Sequence, residues 1–186
     1  MTYSEDRESL ISAGNVKQMV DAAKEAPAGA FVEVGVYRGG SARALYAVAE
    51  EQGRELYLFD TFEGHPKPTQ HDGPAHPAGR YDDCADPVAL RQEMPNAFIV
   101  RGRFPDTWLS TAYPWPWVAF AHIDVDLYES TRDAILALSP CMVEGGVMYF
   151  DDYGEADCPG ATKAVHELFA NWEPLANGKA LVRFGK

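Results

Sequence analysis

Apolar residues recur along this chain in two periods that take turns. From Val16 to Ala26, Val16, Met19, Val20 and Ala23 fall three or four residues apart, the spacing of one helical face, and Pro27 stops the run. Ala30 to Val36 is a short β-rich run interrupted at Gly35. Ser41 then opens a second helix through Glu51, with Ala42, Leu45, Tyr46 and Ala49 as its apolar stripe and Gly53 as its stop. Glu55 to Phe59 is the next strand and ends at Asp60. Asp86 and Pro87 start a short helix, Ala97 to Val100 forms the third strand, and Phe104 to Leu109 holds a helical turn or two. Val118 to Ile123 predicts strand four, Tyr128 to Leu138 a helix, Val147 to Phe150 strand five, and Pro159 to Trp172 a helix with Ala161, Val165, Leu168 and Phe169 buried. Glu173 to Ala176 and Ala180 to Phe184 flank Asn177-Gly178, a hairpin signal.

Strand and helix alternate up to that hairpin. The pattern predicts an α/β fold, a parallel sheet covered by helices on both faces, with an antiparallel strand at one edge. Residues 1–29 form an N-terminal helical segment, and residues 61–83, rich in Gly, Pro and His, form a long irregular loop on the substrate side. There is no internal repeat, and 186 residues suit one domain, 1–186.

Composition narrows the function. A 46% hydrophobic and 24% charged chain is globular. A net charge of -12 argues against a nucleic-acid partner. No apolar run approaches the ~18 residues of a membrane span, and the polar, acidic N-terminus lacks the features of a signal peptide. Cys84, Cys141 and Cys158 are far apart and by themselves form neither a disulfide framework nor a zinc motif. A cytoplasmic location is expected.

The chemistry concentrates at strand ends. Asp124 and Asp126 follow strand four, and Asp151 and Asp152 follow strand five. If the two strands are parallel neighbours, four carboxylates meet at one edge. Two of them repel by roughly 4 kcal/mol at 4 Å with an effective dielectric near 20, so the group needs a cation, a proton or a basic partner. Three oxygens from such a set suit Mg²⁺, with positions left for a substrate diol and one carboxylate left as a base. After strand one, Glu33, Gly35, Gly39 and Gly40 surround a turn where bare backbone can approach a cofactor. Tyr37 occupies the second glycine position of a dinucleotide fingerprint, and no Walker loop is present. Asp60, about 25 residues after Gly35, stands where a carboxylate accepts ribose hydroxyls.

The segments E-V-G-V-Y-R-G-G, L-F-D-T-F-E-G-H-P, I-D-V-D-L-Y-E-S-T, and F-D-D-Y-G followed by A-V-H-E-L-F resemble, in that order from Phe31 to Phe169, the macrocin O-methyltransferase family. That resemblance implies a Rossmann-like class I methyltransferase fold, a seven-stranded sheet with its last strand antiparallel. It also implies an S-adenosylmethionine-dependent, Mg²⁺-dependent enzyme that methylates a hydroxyl of a sugar-like or other vicinal-diol acceptor. Carried over residue by residue, Asp124, Asp151 and Asp152 are the expected metal ligands and Asp126 the general base. Glu33, Gly35 and Asp60 match cofactor positions; Tyr37, Arg38 and Ser41 in the same turn, and Thr61 after Asp60, are further expected contacts. The family's longer N-terminal portion implies a lid that here is short, absent or borrowed from a second copy in a homo-oligomer. A nicotinamide oxidoreductase and a non-catalytic nucleotide-binding domain are the competing readings.

Other conspicuous residues carry blander expectations. His65, His71 and His76, with Asp72, lie in the irregular segment, expected to be a solvated loop without fixed ligand geometry, with His65 a candidate substrate contact. His122 is expected in the core or near the site, and His166 to be structural. Trp108, Tyr113, Trp115 and Trp117, interleaved with Pro114 and Pro116, would either wall an acceptor pocket or pack at an edge or dimer face.

Overall fold

The computed structural model describes residues 10–111 and 116–185. Helix α1 (Ala13–Glu25) starts where Ser12 accepts the Asn15 N–H and stops before Pro27. Strand β1 (Ala30–Val34) leads through the glycine turn into α2 (Gly40–Gln52), which Gly39 and Gly53 bracket in left-handed conformations. Then follow β2 (Leu56–Asp60), α3 (Pro87–Glu93), β3 (Ala97–Arg101), α4 (Asp106–Thr111), β4 (Val118–Ile123), α5 (Tyr128–Leu138), β5 (Met142–Phe150), α6 (Pro159–Leu168), β6 (Glu173–Pro174) and β7 (Ala180–Arg183).

One seven-stranded sheet holds these strands in the order β3-β2-β1-β4-β5-β7-β6. Strands β1 to β5 run parallel, and β7 is antiparallel to both of its neighbours. The order reverses between β1 and β4, so the crevice beyond their carboxyl ends is where an open α/β sheet binds ligands. Helices α1, α2 and α3 bury Met19, Leu45 and Leu90 against one face, with Phe31 and Phe120 from the sheet. The other face receives Trp108 of α4, Ile135 of α5 and Val165 of α6 on Val32, Ala121 and Met148. Strand β1 is buried along its whole length, as a central parallel strand between two helical layers must be.

Three boundaries differ from the sequence expectation. β5 begins at Met142, ahead of its apolar run, because Met142 pairs with Val118 although Glu144 and Gly145 face solvent. α6 ends at Leu168, four residues before Trp172, and Phe169 already takes extended backbone. The antiparallel strand is not the edge strand. Apolar β7 inserts between β5 and β6, leaving the edge to exposed Glu173 and Pro174, whose proline can donate no ladder bond.

Candidate functional site

The carboxyl ends of β1, β2, β4 and β5 open into a cavity of about 670 Å³. Gly35 ends β1 there with φ +91°, and a Cβ on it would stand 1.7 Å from the Asp124 carbonyl oxygen. Only glycine lets the β1 turn cross the end of β4 this closely. The turn is held open by Asp60, whose Oδ2 accepts the N–H groups of Val36 (2.7 Å) and Tyr37 (2.8 Å) while its Oδ1 accepts that of Phe62 (2.7 Å). Tyr37 adopts a left-handed backbone, as do Phe62, Tyr81 and Asp126. Non-glycine residues held so cost on the order of 1–3 kcal/mol each and collect at functional sites. Here Tyr37, Tyr81 and Asp126 all line the cavity.

Of the residues expected to meet a cofactor, Gly35, Tyr37, Ser41, Asp60 and Thr61 line this cavity. Glu33 and Arg38 are turned elsewhere. Glu33 is sealed in the sheet and paired with His122, Oε1 to Nδ1 at 2.8 Å. Its neighbours on β1 are buried on both faces, so its side chain meets strand β4 rather than the crevice. The Arg38 guanidinium is spent on Asp83, pairing with its carboxylate and donating from Nε to its carbonyl at 3.1 Å.

The four aspartates divide into two groups. Asp124, Asp151 and Asp152 each present an oxygen within 4.8 Å of the others. Burial pushes the Asp124 carboxyl well above its ordinary range, and Asp152, Asp151 and Asp126 push it further. Burial does the same to Asp152, and Asp126 adds to it. Asp151 Oδ1 is buried without a hydrogen-bond partner. Lys179 is the nearby counter-charge, 3.6 Å from Asp151 Oδ2 and 2.6 Å from Glu155. Asp152 also shapes the site, because its Oδ2 accepts the N–H groups of Val125 (2.9 Å) and Asp126 (2.7 Å). That pair of bonds holds the turn after β4, where Asp126 adopts a left-handed backbone and its carboxylate stays within 4.8 Å of Asp152.

Asp126 meets a different set of neighbours. Its Oδ2 lies 2.8 Å from His65 Nε2, and its Oδ1 lies 3.4 Å from His76 Nδ1 and 3.5 Å from Cys158 Sγ. Burial would raise the Asp126 carboxyl, but the His65 hydrogen bond and charge, with His76, hold it below its ordinary range. Burial, followed by Asp152 and Asp126, raises the Cys158 thiol and keeps it protonated.

The irregular segment is solvated along much of its length, as its composition predicts, with residues 77–80 exposed, but contrary to expectation polar contacts give His65, Asp72 and His76 fixed places against the cavity. His65 and Arg80 pair through backbone, as do Gly79 and His65. Asp72 accepts from Thr69 through Oδ2 and from the Tyr128 N–H through Oδ1, capping α5 from a distance of 56 residues in sequence. His76 is 2% exposed. His71 packs on Tyr128, and His166 bonds Tyr153 and stacks on Trp172. Trp108 belongs to the core beside Phe59, Trp117 is 67% exposed, and Tyr113 and Trp115 lie outside the described residues.

Sequence reasoning missed three site residues. Lys179 carries no local signal, since it follows an ordinary hairpin turn. His76 and Cys158 were legible only as a histidine-rich loop and a cysteine before a helix-starting proline, with nothing to say that the two would meet.

A family model described as macrocin-O-methyltransferase (TylF) matches residues 13–177. The 8-demethyl-8-(2,3-dimethoxy-alpha-L-rhamnosyl)-tetracenomycin-C 4'-O-methyltransferase of Streptomyces olivaceus is 32% identical over 161 residues, 80% of this chain and 62% of that protein. The mycinamicin III 3''-O-methyltransferase of Micromonospora griseorubida is 30% identical over 172 residues, 82% of this chain and 65% of that one. The chain thus spans less than two thirds of the length of either relative. Among solved structures, the calicheamicin methyltransferase CalS11 superposes with a TM-score of 0.78 at 23% identity, over 92% of this chain and 77% of its own. That likeness establishes the class I methyltransferase fold.

Proposed function

The chain belongs to the macrocin O-methyltransferase family, and from that premise we propose that it methylates a hydroxyl of a sugar or similar vicinal diol, using S-adenosyl-L-methionine and Mg²⁺. The observation that carries the reading is the convergence of Asp124, Asp151 and Asp152 on one point of the cavity, with Asp126 beside Asp152 and paired to His65.

The donor set fits Mg²⁺. Three carboxylates supply hard oxygens, Asp151 Oδ1 has no hydrogen-bond partner, and Asp124 and Asp152 are raised by burial and then by neighbouring carboxylates, a charge that a divalent cation would offset. Asp124, Asp151 and Asp152 would hold the ion, which when bound supplies positive charge beside an ionising acceptor hydroxyl. The cavity also suits the methyl donor. Gly35 leaves bare backbone at the switch point, Ser41 opens α2, and Asp60 stands at the end of β2 facing the same space. S-adenosylmethionine supplies the electrophilic methyl group.

The protein's own part is to hold the acceptor hydroxyl in line and to take its proton. Asp126 is the base. His65 pairs with its Oδ2, fixing the carboxylate's orientation, while Oδ1 accepts a long contact from the Cys158 thiol at 3.5 Å that an acceptor hydroxyl would replace. Residues of the 61–83 segment, among them Thr61, His65, His76 and Tyr81, form one wall of the cavity, and Asp72 and Gly73 pack that segment against the start of α5 and of α6.

Titrating the protein with S-adenosylhomocysteine and with NAD tests the cofactor. Heat with the first and none with the second is expected, and the reverse would end the methyltransferase reading in favour of an oxidoreductase. Asp126→Asn should lower kcat by about 10²–10⁴-fold with S-adenosylhomocysteine affinity retained, measured on the glycoside or polyol that a methyl-transfer screen identifies. Undiminished kcat would remove Asp126 from the role of base.

A further inference from the structure

Beside the all-oxygen triad, three further convergences of ligand atoms among the described residues overlap through His76, Asp126 and Cys158, and one of them joins two histidines to a carboxylate. His65, His76 and Asp126 each offer an atom within 4.8 Å of the others. His65 Nε2 is 2.8 Å from Asp126 Oδ2, and His76 Nδ1 is 3.4 Å from Asp126 Oδ1. Donors on a tetrahedral ion with bonds near 2.0 Å stand about 3.3 Å apart, a separation that three atoms already within 4.8 Å of one another can reach by side-chain adjustment.

The state of His76 points to a cation rather than to a plain hydrogen bond. The ring is 2% exposed, and its Nδ1 has no hydrogen-bond partner although a carboxylate oxygen lies opposite. The other ring nitrogen, Nε2, faces Cys158 Sγ at 3.4 Å and Asp157 Oδ2 at 3.6 Å. In the Nε2–H tautomer Nδ1 presents a lone pair toward Asp126 Oδ1, and a bound cation would take the place of the proton that a charged His76 holds there. Metal-bound histidines are oriented in this way, with the second ring nitrogen donating to a carboxylate or a similar acceptor.

We propose that His65, His76 and Asp126 form a second metal site, selective for a zinc-like borderline ion and distinct from the triad that suits Mg²⁺. Ligand type sorts the two ions: imidazole nitrogen suits Zn²⁺ and Co²⁺, whereas Mg²⁺ keeps to oxygen. His65 borders the cavity, which gives the ion its entry path and a position for water or a ligand oxygen. A zinc ion there engages the carboxylate that would otherwise accept a proton, so zinc inhibits methyl transfer. Only that inhibitory consequence rests on the function proposed above; the binding rests on the three side chains.

The test uses the whole protein saturated with Mg²⁺, which occupies the triad, and titrates it with Co²⁺ and then Zn²⁺. Visible d–d absorption of tetrahedral strength should grow to one equivalent and be displaced by Zn²⁺. His65→Asn and His76→Gln should each weaken uptake by about tenfold or more, with folding checked by circular dichroism. His65→Asn serves as the readout if the buried His76 variant does not fold. Asp151→Asn and a Cys84→Ser, Cys141→Ser double variant should retain the cobalt spectrum. No uptake in Mg²⁺-saturated protein, uptake indifferent to both histidine variants, or uptake lost in Asp151→Asn would each overturn the site. Stoichiometric zinc without loss of methyl transfer would overturn the inhibition alone. A failure to bind S-adenosylhomocysteine would strike the methyltransferase reading and leave the metal site standing.

Discussion

Asp124→Asn should make the metal-free protein more stable while removing its response to Mg²⁺. The Asp124 side chain makes no hydrogen bond among the described residues, so the substitution deletes charge with little other loss. With neighbouring carboxylate oxygens within 4.8 Å and an effective dielectric near 20, each ionised pair repels by about 3.5 kcal/mol. The chain evades part of this by protonation, since Asp124 and Asp152 are both raised well above the ordinary carboxylate range. The gain is therefore smaller, about 1–3 kcal/mol at pH 8, or roughly 3–9 °C in Tm for a domain of this size. The sign with pH follows from the direction of the shifts. A carboxyl raised in the folded state contributes most below its unfolded value near pH 4, and that contribution is lost as pH rises through the folded value. Wild type without metal should thus lose stability from pH 5 to pH 8, and the variant should lose less. Mg²⁺ should restore wild type at pH 8 and leave the variant unmoved. Thermal unfolding at both pH values, with and without Mg²⁺ and with S-adenosylhomocysteine affinity as the control, reads all of this. A variant no more stable than wild type at pH 8, or one that Mg²⁺ stabilises equally, would refute the account of the triad.

Gly35→Ala must separate β1 from β4, because its Cβ would lie 1.7 Å from the Asp124 carbonyl oxygen. We expect a loss of about 3–5 kcal/mol from overpacking and left-handed strain together, and urea unfolding that moved by less than 1 kcal/mol would show the crossing to be loose. Lys179→Met leaves Asp151 without its cation. It should destabilise the fold by about 2–3 kcal/mol, below the full cost of breaking a buried pair because Glu155 is half exposed, yet tighten Mg²⁺ binding; unchanged or weaker Mg²⁺ affinity by calorimetry would contradict this. Asp72→Ala removes the remote cap of α5 and the Thr69 bonds at once. A cost of about 1–2 kcal/mol is expected, with faster proteolysis inside residues 61–83, and a loop as protease-resistant as wild type would count against its role as the anchor.

Much of the architecture was legible because it follows from local patterns. Ala30 to Val34 and Val118 to Ile123 are β-rich and apolar but for Glu33 and His122, the pattern of central strands, and Pro27, Gly53 and Asp86 mark helix ends by their own stereochemistry. What escaped was pairing. β7 enters the sheet between β5 and β6 because its apolar side chains are buried by neighbours that no local window contains. The residues of the 61–83 segment read as solvated loop because Gly, Pro and His have no periodicity, whereas Asp72 and the His65–Arg80 backbone pair supply order from outside any repeat.

The site divides along the same line. That aspartates end β4 and β5, that a glycine follows β1 and that an acid ends β2 is written in the chain, and parallel adjacency alone suffices to bring them to one edge. Which aspartate does what was decided in three dimensions. Asp152 holds the turn after β4 through two backbone bonds, with Asp124 facing Asp151 and Asp152 while Asp126, still beside Asp152, also meets His65 and His76. Glu33, two residues from the glycine turn, was drawn to His122 on the neighbouring strand rather than to the cavity. Local sequence sets which residue stands at a strand end. The direction its side chain takes depends on hydrogen bonds and charges contributed by segments up to 89 residues away, and those exist only once the sheet has closed.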